Sequence, residues 1–265
     1  METAIPFFRE QGTGAGVVCL HSNASSSGQW RTLTDLLSNR FTVIAVDGYG
    51  AGKSPQWPVG PALRLEDEVR LLDPALKRAG DRFHLVGHSY GAAVAVKAAL
   101  MQPRRVRSLV LYEPTLFHLV AGADPLVSPA QGIWRAATDA AAAVDHGDLD
   151  AAAERFIDFW MGAGSWQETP AVRQAGIAGA TANIRAWRDT LFNETFAPSA
   201  LATLDLPVLL LTGEQSPESA LSVARTLEGL LPKVTVVALE GIGHMGPITH
   251  PELVNRRIAD FLDRN

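Results

Sequence analysis

Cysteine is nearly missing from this 265-residue chain. Cys19 stands alone, so no intrachain disulfide can form, and its apolar setting at 17–20 reads as a small buried residue in a reducing compartment. A basic excess is missing too: 23 Lys and Arg stand against 28 Asp and Glu, leaving a formal charge of −5 and no cationic field to gather phosphate backbones or anionic lipid. Nucleic-acid and membrane partners are therefore not expected. No apolar run approaches the ~18 residues that span a bilayer, and residues 1–8 have neither the basic start nor the long apolar run of a secretory leader, so the expected location is cytoplasmic. Charged residues are also scarce, at 19% against 47% hydrophobic, a balance that fills a large core and excludes a disordered or fibrous chain.

What the chain has instead is a recurring run of Val, Ile and Leu, at 16–20, Phe41–Val46, 83–86, 108–112, 207–212 and Val234–Leu239. Apolar runs without polar alternation suit strands covered on both faces. Between them lie stripes at helical spacing: Leu33, Leu36 and Leu37; Val69, Leu72 and Leu76; Leu253, Val254, Ile258, Phe261 and Leu262. Strand alternating with helix predicts an α/β chain with a mainly parallel sheet and helices on both faces. The alternation stops between residues 116 and 203, a span too long for bare loop in a compact domain. Helical pieces are expected there at 139–143, 149–160 and 180–191, separated by Gly162, Gly164 and Pro170.

The most informative segment is 83–93, a strand that runs into Gly87-His88-Ser89-Tyr90-Gly91 and then an Ala-rich helix. In such a strand–turn–helix elbow the serine sits in a strained turn, and flanking glycines remove side chains that would collide with neighbouring elements. Residues 47–54 nearly spell a phosphate-binding loop. The first position, however, is Asp47, whose charge would repel phosphate, and Pro55 and Pro58 interrupt the helix that must follow, so a tight turn is expected instead. His118 and His146 have no partners at a metal-ligand spacing, and no metal is expected.

With the elbow in view, the chain resembles the α/β-hydrolase superfamily. The supporting segments are His21-Ser22-Asn23, the Asp47–Gly52 turn, the elbow, and Gly243-His244-Met245 near the end. The resemblance implies the α/β-hydrolase fold, with a core formed by 1–115 and 204–265 and a helical cap at 116–203. It implies Ser89 as nucleophile, His244 as general base, and an oxyanion hole from the backbone N–H groups of Asn23 and Tyr90. The loop after His21 also resembles that of haloalkane dehalogenases, but those use an Asp nucleophile, which disfavours dehalogenation here. His250 is the rival base, read as a helix-capping or surface residue, and His88 is read as packing.

The acid departs from the family's common pattern. Many relatives carry Gly-x-x-Asp after the strand at 207–212, whereas here Gly213-Glu214-Gln215-Ser216 puts a serine in that place. Glu113, directly after the strand at 108–112, is the expected acid, as in some superfamily members, and Glu214 is the runner-up. Trp134, Trp160, Trp166 and Trp187 fall in the insertion with Phe117, Phe156, Phe159, Phe192 and Phe196. Most of these rings are expected in the insertion's own core and some on an acyl or alcohol pocket. The expected function is a serine esterase without cofactor, cleaving an ester, thioester or lactone of a small-molecule apolar acyl substrate. The alternatives are a carbon–carbon bond hydrolase or acyltransferase, and a receptor that kept the pocket but lost turnover.

Overall fold

The branched apolar runs become strands of a seven-stranded sheet in the computed structural model, which describes residues 4–57 and 64–265; the last run, Val234–Leu239, forms an edge strand that is only partly buried rather than covered on both faces. Pro58 and residues 1–3, part of the segment read for a leader, lie outside that range. In chain order the first half runs β1 (Phe8–Gln11), β2 (Ala15–Leu20), α1 (Arg31–Leu37), β3 (Phe41–Val46), α2 (Leu65–Arg78), β4 (Phe83–His88), α3 (Tyr90–Met101) and β5 (Val106–Tyr112). An insertion follows, with α4 (Gln131–Asp145), α5 (Leu149–Met161), α6 (Ser165–Glu168), α7 (Ala171–Thr181), α8 (Ile184–Phe192) and α9 (Pro198–Leu201). The chain then returns through β6 (Val208–Gly213), α10 (Glu218–Leu230), β7 (Val234–Leu239), α11 (Gly246–Thr249) and α12 (Pro251–Leu262).

Strand order is β1-β3-β2-β4-β5-β6-β7, with β1 antiparallel to β3 and every other pairing parallel. From β2 the chain steps outward to β3 and then crosses back to β4. The crevice outside the carboxyl ends of β2 and β4 is therefore a topological switch point, the place where open α/β sheets bind ligands. Loop 21–23 leaves β2 there and the elbow leaves β4 there.

Each face of the sheet has its own core. Leu33 and Leu37 of α1 pack with Val254, Ile258 and Leu262 of α12 on one side. On the other, Val69, Leu72 and Leu76 of α2 and the Ala-rich α3 pack with residues of the insertion. Each fully buried Leu, Ile or Val side chain contributes about 1.5–3 kcal/mol relative to exposure.

Several expectations need correction. The strand β1 has no apolar run, since Phe8-Arg9-Glu10-Gln11 forms a largely exposed antiparallel edge that needs no cover on two faces. Strand β4 runs two residues beyond its expected end, because Gly87 and His88 pair with Leu111 and Tyr112 despite weak strand propensity. Leu36 and Leu253 fall on the solvent side of their helices. The piece at 180–191 is two helices: the amide of Asn183 donates from its backbone and its side chain to the Ala180 carbonyl, which ends one helix, and Trp187 N–H to Asn183 O starts the next. The piece at 139–143 is the middle of the longer α4.

Candidate active site

Ser89 stands at the junction of β4 and α3 with φ 55° and ψ −116°, the strained geometry expected of the elbow. The ladder holds it there. Ser89 N–H donates to Tyr112 O at 2.9 Å, continuing the β4–β5 pairing, and its own carbonyl accepts from the N–H of Ala92 and Ala93 in the first turn of α3. Gly91 is required by close approach, because a Cβ there would collide with the carbonyl oxygens of Leu20 and His21 at the end of β2.

His244 arrives on the loop after β7 and reaches the serine, with Nε2 2.9 Å from Ser89 Oγ. Its other nitrogen, Nδ1, lies 2.6 Å from Glu113 Oε2. Glu113 is fully buried and adopts φ 43°, a left-handed backbone that non-glycine residues rarely take. Its second oxygen, Oε1, accepts from Gly213 N–H and from Ser216 Oγ–H, each at 2.6 Å. Ser216 thus orients the Glu113 carboxylate. Glu214 is exposed, and its backbone N–H donates to Leu239 O. His250 is exposed at the start of α12 and contacts Thr249 rather than capping the helix with its ring.

Asn23 borders the hollow beside Ser89, and Tyr90 begins α3. Among the described residues neither backbone N–H donates to a protein acceptor. Sequence reasoning missed how this region is tied together. The Gln29 side-chain oxygen accepts from the N–H and hydroxyl of Ser22, while its amide donates to His88 Nδ1 at 3.1 Å. His88 Nε2 then donates to the His244 carbonyl at 2.8 Å, since a carbonyl can only accept. Burial pushes the His88 ring well below its ordinary pKa, favouring the neutral ring, and the carbonyl acceptor at Nε2 sets the tautomer. His88 is therefore more than packing: it joins the loop after β2 to the loop that carries His244. Tyr112 adds a second tie through its hydroxyl to Gly243 O at 2.8 Å. The spacing of Gln29 from Ser22 carries no sequence signal for this.

Asp47 confirms the turn reading of 47–54, because its carboxylate accepts N–H bonds from Ser27 and Lys53 and so occupies the space a phosphate would need. Cys19 is buried in β2, and burial pushes its thiol far above the reactive range.

The insertion reaches the site through α5. The Trp160 indole stacks on the His244 imidazole, with centroids 3.8 Å apart and planes at 22°. Phe156 and Trp160 form one wall of a cleft of about 240 Å³ that holds Ser89 and His244, with Ser25, Glu168 and Arg173 among its polar border. Trp134 instead packs on Phe192 and under the Arg188 guanidinium, half-buried at the insertion's surface.

Beneath Tyr90 lies Glu68, only 2% exposed, accepting from Tyr49 N–H at 3.3 Å and Tyr90 Oη–H at 3.2 Å. Burial is the main cause that raises its carboxyl from 4.5 to about 7, against the lowering effect of those two bonds. A carboxyl raised on folding binds its proton more tightly in the native state, so stability falls as pH rises from about 4.5 to about 7 and levels off above. Glu68→Gln keeps an acceptor and removes the ionisation. Melting temperature against pH is expected to flatten across that window in the variant, and parallel curves for the two proteins would refute the assignment.

A family model described as alpha/beta hydrolase fold matches residues 17–251. The 2-(acetamidomethylene)succinate hydrolase of Mesorhizobium japonicum is 30% identical over 267 residues, covering 96% of this chain and 90% of that protein. Carboxylesterase YbfK of Bacillus subtilis is 24% identical, covering 93% of this chain and 79% of the relative. Among solved structures, MGS-M2, an alpha/beta hydrolase enzyme from a Medee basin deep-sea metagenome library, superposes with a TM-score of 0.80 at 18% identity over 98% of this chain and 94% of that one. Among the described residues no helix is long and apolar enough to cross a membrane.

Proposed function

The chain belongs to the alpha/beta hydrolase fold family, and we propose on that premise that it is a serine hydrolase cleaving an ester, thioester or lactone through an acyl-enzyme. Ser89 Oγ attacks the carbonyl carbon as His244 Nε2 takes its proton, and the N–H groups of Asn23 and Tyr90 receive the oxyanion. Glu113 holds His244 in the Nδ1–H tautomer and stabilises the imidazolium. The imidazolium then gives its proton to the leaving group, and a water deprotonated by His244 releases the acid and restores Ser89. The scheme draws on side chains and backbone amides alone.

The observation that supports this most is the unbroken line from Glu113 Oε2 through both nitrogens of His244 to Ser89 Oγ, every member of it buried. The serine at 216 raises the possibility of a receptor without turnover, and the Glu113 carboxylate on His244 Nδ1 counts against it. Carboxylesterase activity in a relative points the same way, toward an ester.

Intact mass after exposure to a fluorophosphonate tests the reading without knowledge of the substrate. The native protein is expected to gain one adduct and Ser89→Ala none. A folded native protein that gains no adduct would overturn the proposal. Product analysis by mass spectrometry then separates ester hydrolysis from acyl transfer and from carbon–carbon cleavage.

A further inference from the structure

Two hollows of very different size meet at Ser89. The cleft described above, about 240 Å³, also touches His244, Met245 and Ile248. The second, about 20 Å³, touches Ser89 and Asn23 but not His244, and its walls include Phe117, Ile133, Trp187 and Leu191. Phe156 and Trp160 border both and divide them.

Acyl transfer assigns the two hollows different parts of the substrate. The leaving group takes its proton from His244 Nε2 and must lie against that ring, and the water of the second step is deprotonated by the same nitrogen from the same side. Both requirements direct the leaving group to the larger cleft. The acyl group is left with the smaller hollow, about 20 Å³ against about 240 Å³ for the cleft.

That hollow resists enlargement. Phe117 packs on Phe192 at 5.2 Å between centroids, Phe192 on Trp134 at 4.8 Å, and Phe156 on Trp187 at 5.8 Å, so the walls form an interlocked set. Trp160 cannot swing aside without leaving the His244 ring on which it lies. Arg188 also borders the hollow, but its guanidinium is turned away, bonded to Asp189 and Thr138 and stacked on Trp134. Apart from the buried Thr115 hydroxyl and Asn23, the lining left to the acyl group is apolar.

We propose that this protein selects esters of short, unbranched apolar acids, acetyl or propionyl in size, joined to a larger leaving group, with the ring-walled hollow beside Ser89 as the acyl site. The inference rests on the serine hydrolase reading. Extra methylenes forced into a packed, ring-lined space displace side chains from their preferred rotamers, so longer chains lose rate rather than gain binding.

The test is the rate of acylation of Ser89, read by intact mass, with p-nitrophenyl esters from acetate to octanoate and with a second series of acetates of increasingly large alcohols. The rate constant is expected to peak at two or three carbons and fall by about tenfold or more by six, consistent with the cost of overpacking. Alcohol size is expected to have little effect. Leu191→Ala enlarges the hollow without touching the proposed catalytic groups and is expected to move the acyl optimum upward by one or two carbons. Loss of fluorophosphonate labelling would refute the serine hydrolase reading itself. Labelling together with a flat or rising acyl series, with no acylation by the short esters, or with an unmoved optimum in Leu191→Ala, would overturn this inference alone.

Discussion

Ser89→Ala and His244→Ala are each expected to lower turnover of an ester by about a millionfold, with the double variant no worse than either, as for nucleophile–base pairs that act as one unit. The reason lies in the 2.9 Å contact between Oγ and Nε2. An unassisted serine hydroxyl is a weak nucleophile, and an imidazole with no hydroxyl to deprotonate contributes little, so removing the second member after the first costs almost nothing further. A residual acceleration over water survives from the oxyanion donors and from substrate binding. Steady-state turnover of the three variants checks this. A single variant that keeps a tenth of the native rate would remove that residue from the mechanism.

Glu113→Gln is expected to lower turnover by ~100-fold or more, in keeping with loss of the carboxylate that orients a catalytic imidazole, while Glu214→Gln stays within about twofold. The size follows from the partners of the two Glu113 oxygens. Gly213 N–H and Ser216 Oγ–H both donate to Oε1, so an amide at 113 must keep its oxygen there. Its NH2 group then takes the Oε2 position, 2.6 Å from His244 Nδ1, and donates to it. That forces the proton of a neutral His244 onto Nε2, the nitrogen that must accept from Ser89, and the base is blocked by its tautomer. The expected signature is a fall in kcat with little change in KM. The opposite ranking of the two variants would move the acid to Glu214.

How far the sequence could be read depended on how local each signal was. The inner parallel strands were legible because burial on both faces demands uninterrupted Val, Ile and Leu; Val234–Leu239 shows the same run on a partly exposed edge. Strand β1 was not, because an edge strand can be polar, and Phe8-Arg9-Glu10-Gln11 is. The elbow could be read because Gly87, Ser89 and Gly91 are adjacent and each answers a steric demand of one turn. Glu113 was legible only by its place at a strand end, and nothing in the order of residues says that Ser216 would turn its hydroxyl toward it 103 positions away. The tie from Ser22 through Gln29 and His88 to His244 joins residues up to 156 positions apart in a single bond, a separation that periodicity cannot report. Trp160 on His244 was equally hidden. Helical spacing marks which face of α5 is apolar, but not which ring on that face covers the imidazole.

The meeting of Glu113 and Ser216 also bears on how such a site could change over evolutionary time. Strands β5 and β6 are neighbours in the sheet, so Glu113 at the end of one and Ser216 in the turn after the other meet directly, hydroxyl to carboxylate. A chain carrying carboxylates at both positions would hold two oxygens about as close as the 2.6 Å that now separates Ser216 Oγ from Glu113 Oε1. Like charges that close share one proton, so such a pair would still present a single anion to the histidine. A carboxylate at position 216 could therefore be gained or lost beside Glu113 while one anion still faces His244.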